Sequence, residues 1–556
     1  MTNPRQGAVR AGCIGAIVAA LATVPGLWVG TLWDNSETAY GEVAREILLT
    51  HDWVVMHLNG VPYFVQPPLY FWLGAAFSLI LGPTTFALRL PSALATIALG
   101  GFTGYAVARQ VGTRVGIYSA VILSTCLMQT VIGRLAIMDA LLDLTVAMTI
   151  FWWFRGLETG RDRYVAYGWL AAAAGFLAKG LVAPVVALLV IVPFYLWNRS
   201  REPMPPLSAR GWLLGFAAFV AVVLPWPLAL VSRFHLFPLQ KLIGEYTFGR
   251  YTNVVENQAG PVWYYVPVII LGFFPWIAFL PMAIVDGVRQ LRAGGDDERR
   301  ITRVLRLAFV WIVMPLLFFS FARTKLPNYV ALELPALALL AALYFDGVVR
   351  RGTVRSAAIS AATVPVTIGA LAFAIWLFTR NNRLTVEVAN TVPALLAMAV
   401  AIFAGSLLTA LLLARARSAR LAPYALALAA TIAADVLAVV VLPHTEAFKP
   451  IPRLAALIER ERKPGDEVAI QNVSGGNALL FYTRPVVRVL AAPGSGDAQG
   501  DGVDPRAFIC GAPRAWVIVP ASYAPQDPSY GRRRRIVAVD RKAALVLYDG
   551  PACTQT

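Results

Sequence analysis

The sequence predicts a mainly α-helical protein: a polytopic transmembrane bundle of about 13 spans, with juxtamembrane helices on the outer side and a small α/β domain at the C-terminus. Three observations lead there. Only 14% of the 556 residues are charged, against about 25% in soluble domains. Hydrophobic residues make up 58% and gather in runs of 17 to 25, where a bilayer core of ~30 Å takes about 20 residues per helix. From residue 444 onward the long runs give way to short helix- and strand-like patterns.

The expected spans are 11–31, 86–108, 114–132, 138–155, 164–178, 180–197, 211–232, 262–284, 304–321, 328–346, 356–379, 391–414 and 422–442. The first follows a short basic N-terminus and, with so many spans after it, reads as a retained helix rather than a cleaved signal. A fourteenth apolar segment, 67–83, is settled by charge. If it spans, Arg109 and Arg114 face outward and most later loops invert. If it lies on the outer surface, Arg5 and Arg10 and the Arg-bearing loops near 109–114, 155–163, 199–210, 289–306, 350–355 and 415–420 all face the cytoplasm. The positive-inside rule favours the second threading, and Tyr70, Phe71 and Trp72 suit an interface. The outer side then holds 32–85, the mouths at Arg134/Asp139, Lys179 and 323–329, the loop 233–261 and the tail. The expected division is a membrane domain over 1–443, including the outer loop 32–85, and an α/β domain over 444–556.

In the tail, 466–473 and 514–520 read as strands, 451–462 and 476–483 as helices, and 535–550 as a terminal hairpin, with a loose Gly/Asp/Pro insert at 492–506. The net charge of +17 follows from the loop arginines, so no nucleic-acid partner is expected; anionic membrane lipids are. The run Arg532–Arg535 reads as a solvated face. Cys13 and Cys126 lie in apolar runs, whereas Cys510 and Cys553 could pair if the tail is outside the cytoplasm.

Chemistry-bearing residues gather on the outer side. In "WDNSETAYGEVARE", Asp34 and Glu37 fit a capping box, and either also fits a general base held at the membrane edge. Asp139 opens a span, with Arg134 five residues before it, as a snorkelling pair or the wall of a polar cavity; Asp143 lies one turn deeper. Lys179 sits in a tight turn before Gly180, as an anchor or a functional cation. Arg250, in "EYTFGRYT", and Arg323, Lys325 and Tyr329, in "FARTKLPNYVAL", suit either lipid headgroups or a bound phosphate, Arg as a fork and Lys as a point charge. His51, His57, His235 and His444 show no metal-binding spacing, so no metal ligand is assigned; the cofactor is unassigned, and a divalent metal stays open.

In sequence order, "LWDNSETAYGEVAREIL", "LNGVPYFVQPPLYFWLGAAF", "LRLPSAL", "GRLAIMD", "FLAKG", "LPWPLAL", "WYYVPVIILGFFPW" and "RTKLPNYVALELPALALL" resemble the bacterial C-type glycosyltransferases: the lipid A aminoarabinose transferases and protein O-mannosyltransferase-like enzymes. The resemblance covers about residues 10–345. It implies an inner-membrane enzyme whose site and tail face the periplasm. It would take a sugar from a polyprenyl-phosphate carrier, with inversion, and pass it to an acceptor that is lipid A, another glycolipid or envelope glycan, or protein. Carried over, Asp34, Glu37 and Asp139 are catalytic; Arg250, Lys325, Tyr329 and Lys179 hold the donor phosphate; Tyr40, Tyr63, Gln66 and Arg134 line the substrate cavity. Two departures stand out. The Asp-Glu pair of aminoarabinose transferases is Ser36-Glu37 here, and a Glu-Lys-Pro is Val65-Gln66-Pro67. They motivate a second reading, a non-catalytic polyprenyl-lipid-binding relative.

Overall fold

Small residues decide how the first helices pack. In the computed structural model, which describes residues 4–33, 36–202, 204–205, 208–254, 258–293, 299–351, 390–415, 417–483, 486–491, 502–550 and 553 and a few positions between 358 and 376, nine helices open the chain. They are α1 (Pro4–Leu21), α2 (Glu37–Thr50), α3 (Leu69–Leu81), α4 (Thr85–Val111), α5 (Thr113–Thr125), α6 (Leu127–Ile132), α7 (Asp139–Thr159), α8 (Asp162–Lys179) and α9 (Val182–Arg199). A methyl group on Gly15 would lie 2.4 Å from the Gly100 carbonyl oxygen, and one on Gly104 would lie 2.5 Å from that of Ala11. Helices α1 and α4 therefore touch backbone to backbone, as small residues allow in membrane bundles. The chain forms two compact units: Met1–Val29, Phe64–Leu73 and Arg89–Val441 in one, and Gly30–Tyr63, Gly74–Leu88 and Leu442–Thr556 in the other.

The first unit is the helical bundle. Among the described residues seven helices are long and apolar enough to cross a membrane: α4, α7, α9, Arg299–Phe321, Pro327–Arg351, Val392–Leu413 and Ala419–Thr445. Two bent pairs, Ala209–Val223 with Pro225–Phe234 (43°) and Val262–Gly272 with Trp276–Ala293 (108°), raise the number to nine if each is one broken span. The expected spans 211–232 and 262–284 are thus bent at Pro225 and near Pro275, where proline removes a helix donor. The expected span 114–132 is divided, because Cys126 is extended (φ −75°, ψ 145°) between α5 and α6. The first helix ends at Leu21, ten residues before the expected boundary, and turns follow through Pro25 and Gly26. Segment 67–83 forms the 13-residue α3, about 20 Å long and too short to span unaided. The expected span 356–379 lies mostly outside the described residues.

The second unit is an α/β sandwich that takes in part of the first outer loop. Among the described residues seven strands belong to it: β1 (His57–Leu58), β2 (Val61–Pro62), β3 (Glu467–Gln471), β4 (Val487–Leu490), β5 (Ala515–Pro520), β6 (Arg533–Asp540) and β7 (Ala543–Asp549). The last five form one sheet in the order β4-β3-β5-β7-β6, with β3 parallel to both β4 and β5 and the remaining pairs antiparallel. Alternate residues serve opposite faces. Val468, Ile470, Trp516, Ile518, Leu545 and Leu547 pack under helices Pro450–Glu461 and Gly476–Thr483. Ala469, Val517, Val519, Val546 and Tyr548 pack with Phe508 and Ile509 of helix Pro505–Gly511.

The tail's expected strands, helices and terminal hairpin all form. Strand β4 and the Pro505 helix were not expected; the latter starts where Asp504 accepts from the Ala507 N–H, inside the segment read as loose. Positions 492–501 lie outside the described residues. The arginine run is not one solvated face. Arg532 is 5% exposed and donates to the carbonyls of Ile509, Ala512, Pro513 and Gly550. Arg535 pairs with Glu461. Cys510 and Cys553 form a disulfide.

These units cut the chain differently from the expected division at 443/444, since loop segments 30–63 and 74–88 group with the tail. The contacts explain why. Asn59 donates to the Val487 carbonyl (2.8 Å) and accepts from the Val487 N–H (3.0 Å), so its side chain acts as one more strand residue beside β4. Leu32 N–H donates to the Tyr482 hydroxyl, and a methyl on Gly41 of α2 would press on Phe481 at 3.2 Å.

Candidate active site

Helix α8 ends at Lys179 because Gly180 adopts φ +70°, a backbone state that suits glycine and strains other residues. Helix α7 begins at Asp139. The Lys179 ammonium donates to Asp139 Oδ1 at 2.6 Å, joining the C-terminus of α8 to the N-terminus of α7. Each charge sits at the dipole end that stabilises it. Asn328 Nδ2 donates to the same oxygen at 2.5 Å. The Tyr329 ring packs at a tilt against Phe319, 4.6 Å between centroids, and Lys179 Nζ lies 5.7 Å from the tyrosine ring. Asp139 and Lys179 are both largely buried. Asp143, one turn below, is 2% exposed, with Oδ2 in no hydrogen bond. A methyl on Gly180 would just touch Pro67, so buried Gln66 enters the bundle beside this turn.

Asp139, Lys179 and Tyr329 therefore converge, and Asn328 completes the group. Nothing in the spacing marks Asn328; its place after Pro327, at the mouth of a span, was the available signal. The snorkelling pair of Arg134 with Asp139 does not form. Arg134 pairs instead with Asp435 (2.6 Å) and donates to the Pro25 and Thr130 carbonyls. Its fork ties the α6–α7 turn to helix Ala422–Val436.

Lys325 and Arg250 come together through backbone pairing. Arg323 N–H donates to Tyr251 O, Thr324 N–H to Arg250 O, and Lys325 N–H to Gln258 O. The Lys325 ammonium turns inward and donates to the carbonyls of Phe319, Ser320 and Ala322, closing the end of helix Arg299–Phe321. Burial pushes this amine below the usual lysine range. All three of its hydrogens are used, so contact with a phosphate requires the helix end to release it. The Arg250 guanidinium lies 5.8 Å from the Tyr246 ring.

In the second unit, Ser36 is the N-cap of α2 and makes no side-chain cap bond. The expected cap, Asp34, lies outside the described residues. Glu37 is 1% exposed, and its Oε2 accepts from Trp33 N–H at 2.8 Å, reaching back as a capping carboxylate does. Tyr40 and Tyr63 are partly buried in the same unit. Further along α2, Arg45 donates from both Nε (2.8 Å) and Nη2 (2.5 Å) to Glu42. Glu46 accepts from Gly60 N–H in the β1–β2 turn. Burial pushes the Glu42 carboxyl up to about 7, against the pull of Arg45. This buried Glu42-Arg45-Glu46 run was not singled out from the sequence; three charges on one helical face (i, i+3, i+4) were its signal. Among the described residues no three His, Cys, Asp or Glu side chains form a metal-sized group.

Comparison with known proteins bears on this site. Residues 65–227, which carry Asp139 and Lys179, match the family described as dolichyl-phosphate-mannose-protein mannosyltransferase. The undecaprenyl phosphate-alpha-4-amino-4-deoxy-L-arabinose arabinosyl transferase of Yersinia enterocolitica is 32% identical over 326 residues, 56% of this chain and 55% of that protein. That of Proteus mirabilis is 30% identical over 353 residues, 60% of each. The chain thus spans little more than half the length of the curated relatives it matches. A crystal structure of ArnT from Cupriavidus metallidurans, bound to undecaprenyl phosphate, superposes with a TM-score of 0.80 over 96% of this chain and 97% of that one, at 21% identity. The chain is therefore a multi-pass membrane protein with the ArnT-like fold, related in sequence over more than half its length to the bacterial undecaprenyl-phosphate aminoarabinose transferases.

Proposed function

We propose that the chain is an inverting glycosyltransferase that moves a sugar from a polyprenyl-phosphate donor to a lipid A-like or other envelope acceptor. It works at the periplasmic face of a bacterial inner membrane. The observation that carries the reading is the Asp139–Lys179–Asn328 group, which lies within a bundle of the fold shared with ArnT. The arginine distribution supports the orientation. So does the Cys510–Cys553 disulfide, since such bonds persist outside the cytoplasm.

In this reaction the acceptor oxygen attacks the anomeric carbon, its proton passes to a carboxylate, and the bond from that carbon to the phosphate oxygen breaks. Polyprenyl phosphate leaves. The base is Glu37 or Asp34, and such catalysis contributes about 10²–10⁴-fold. Asp139, held by two donors on one oxygen, orients the substrate. Lys179 and Arg250 offset charge developing on the leaving phosphate; Lys325 joins them only when released from its helix end. The proposed domains remain a membrane transferase domain and a periplasmic α/β domain, the latter joined by part of the first outer loop.

The test is release of radiolabelled sugar from a polyprenyl-phosphate donor by the purified full chain, compared with Glu37→Gln, Asp34→Asn and Asp139→Asn. Wild-type turnover lost in Asp139→Asn and in one of the other two supports the assignment. Full activity in all three variants overturns it. The rival reading, carrier binding without turnover, draws on Ser36 and Val65-Gln66 and predicts donor binding with no sugar release from wild type. Mass spectrometry of envelope lipids and glycans from a deletion strain identifies the acceptor.

A further inference from the structure

The bundle carries a pocket far from Asp139, lined by aromatic rings and two arginines. Helices α7 and α8 are antiparallel neighbours in sequence; Asp139 and Lys179 stand at one end of the pair, and Arg155 and Tyr164 near the other. Sixteen residues of α7 separate Asp139 from Arg155, about 24 Å along the axis. At that far end the last turns of α4 and α7 and the first turn of α8 frame a small open cavity of about 70 Å³. Phe102, Tyr105, Arg109, Trp152, Arg155 and Tyr164 line it, with no carboxylate among the lining residues.

Its construction is specific. Trp152 and Tyr164 stack at 5.6 Å with planes 7° apart, and Phe102 lies 5.7 Å from Trp152. Arg155 donates to Gln110 Oε1 at 3.3 Å and to Glu158 at 3.4 Å, both long. Glu158 is shared with Arg303, which also pairs with Glu202. Arg109 makes no hydrogen bond or ion pair among the described residues, although it is partly buried. Two arginine forks at a helix end, one with no protein acceptor, above an aromatic wall that continues into an apolar bundle, meet the chemistry of a phosphodiester with acyl tails. Forks match phosphate oxygens, interfacial aromatics take the glycerol and first methylenes, and basic pockets between spans on the cytoplasmic side bind anionic headgroups. A ring of arginines serving topology alone requires no such pocket.

We propose that this pocket binds the headgroup of an anionic phospholipid of the leaflet opposite the transfer site. Arg109 and Arg155 hold its phosphate, and Trp152 and Tyr164 flank its glycerol.

Native mass spectrometry of the delipidated full chain tests this by titration with phosphatidylglycerol, phosphatidylcholine and inorganic phosphate. Phosphatidylglycerol is expected to bind about 10-fold or more tightly than phosphatidylcholine, and Arg109→Gln/Arg155→Gln to weaken it about 10- to 30-fold. Arg289→Gln, which removes an exposed arginine elsewhere, should leave it unchanged. Equal binding of phosphatidylcholine, or undiminished binding by the double variant, overturns the proposal. Displacement of phosphatidylglycerol by inorganic phosphate assigns the pocket to free phosphate and overturns the lipid. If the double variant does not fold, a diazirine-bearing phosphatidylglycerol on wild-type protein decides the matter. Adducts within 102–110 and 151–164 support the site; adducts confined elsewhere overturn it.

Discussion

Asp139 and Lys179 owe their meeting to helix ends rather than to adjacency in the chain. Buried and ion-paired, each depends on the other for compensation. Removing one member of a buried pair costs about 3–5 kcal/mol, more than replacing both with apolar groups. Lys179→Met should therefore destabilise the protein more than Asp139→Leu/Lys179→Met, which thermal unfolding in detergent will read. Asn328→Ala removes one hydrogen bond to a charged oxygen and should lower sugar transfer about ten-fold, with Asp139→Asn lowering it at least 100-fold; donor turnover measured in membranes checks both. Glu42 yields a pH prediction. Burial pushes its folded-state carboxyl up to about 7 from the usual 4.5, so between those values the native state binds more protons than the unfolded one, and stability falls as pH rises. The full effect is about 3 kcal/mol at most. Wild type should lose thermal stability from pH 5 to 7.5, and Glu42→Gln should flatten that slope; equal slopes would remove Glu42 as its source.

At the scale of elements, two devices stand out. Asn59 and Gly60 both have positive φ (59° and 74°), and they join β1 to β2 with two intervening residues, the type I′ hairpin that Asn-Gly favours. The Asn-Gly of "LNGVP" carries that signal, but strands of two residues beside an aromatic, Pro-rich run leave no alternation to mark them. The hairpin turn presents the Asn59 side chain to β4. Asn59→Ala should lose both hydrogen bonds and cost about 1–3 kcal/mol, seen as faster amide exchange at Val487. The second device is the glycine contact between α1 and α4. Gly100→Val would drive a side chain into Gly15 and Ser124, and overpacking of this kind costs typically 1–3 kcal/mol. A lower unfolding temperature with unchanged tail exchange is the expected result.

For the whole molecule, the disulfide closes a 43-residue separation across the end of the tail. Chain-entropy arguments put its contribution at about 4 kcal/mol. Cys510→Ser/Cys553→Ser should accordingly leave the tail more protease-sensitive while the bundle resists, and non-reducing mass mapping of wild type should recover the linked peptides. The membrane class, the short α3 and nearly all tail elements were legible from the chain because each rests on local pattern: hydrophobic run length, strand alternation, flanking glycine and proline. The resemblance to the aminoarabinose transferases was legible for the same reason, from motifs contiguous in sequence.

Partners were not legible. The sequence determined that Asp139, Lys179 and Tyr329 lie at helix mouths, that the chain is helical and membrane-borne, and that its tail alternates strand and helix. Only the tertiary structure decided that Asp139 takes Lys179 and Asn328 rather than Arg134, that Lys325 spends its ammonium on a helix end, that Arg532 is buried, and that the first outer loop folds with the tail. The physical reason is that hydrophobic period and turn chemistry act over a few residues. A charge, by contrast, is satisfied by whichever donor or acceptor the packed chain brings within about 3 Å, and that choice spans separations from 3 residues at Lys325 to 301 at Arg134.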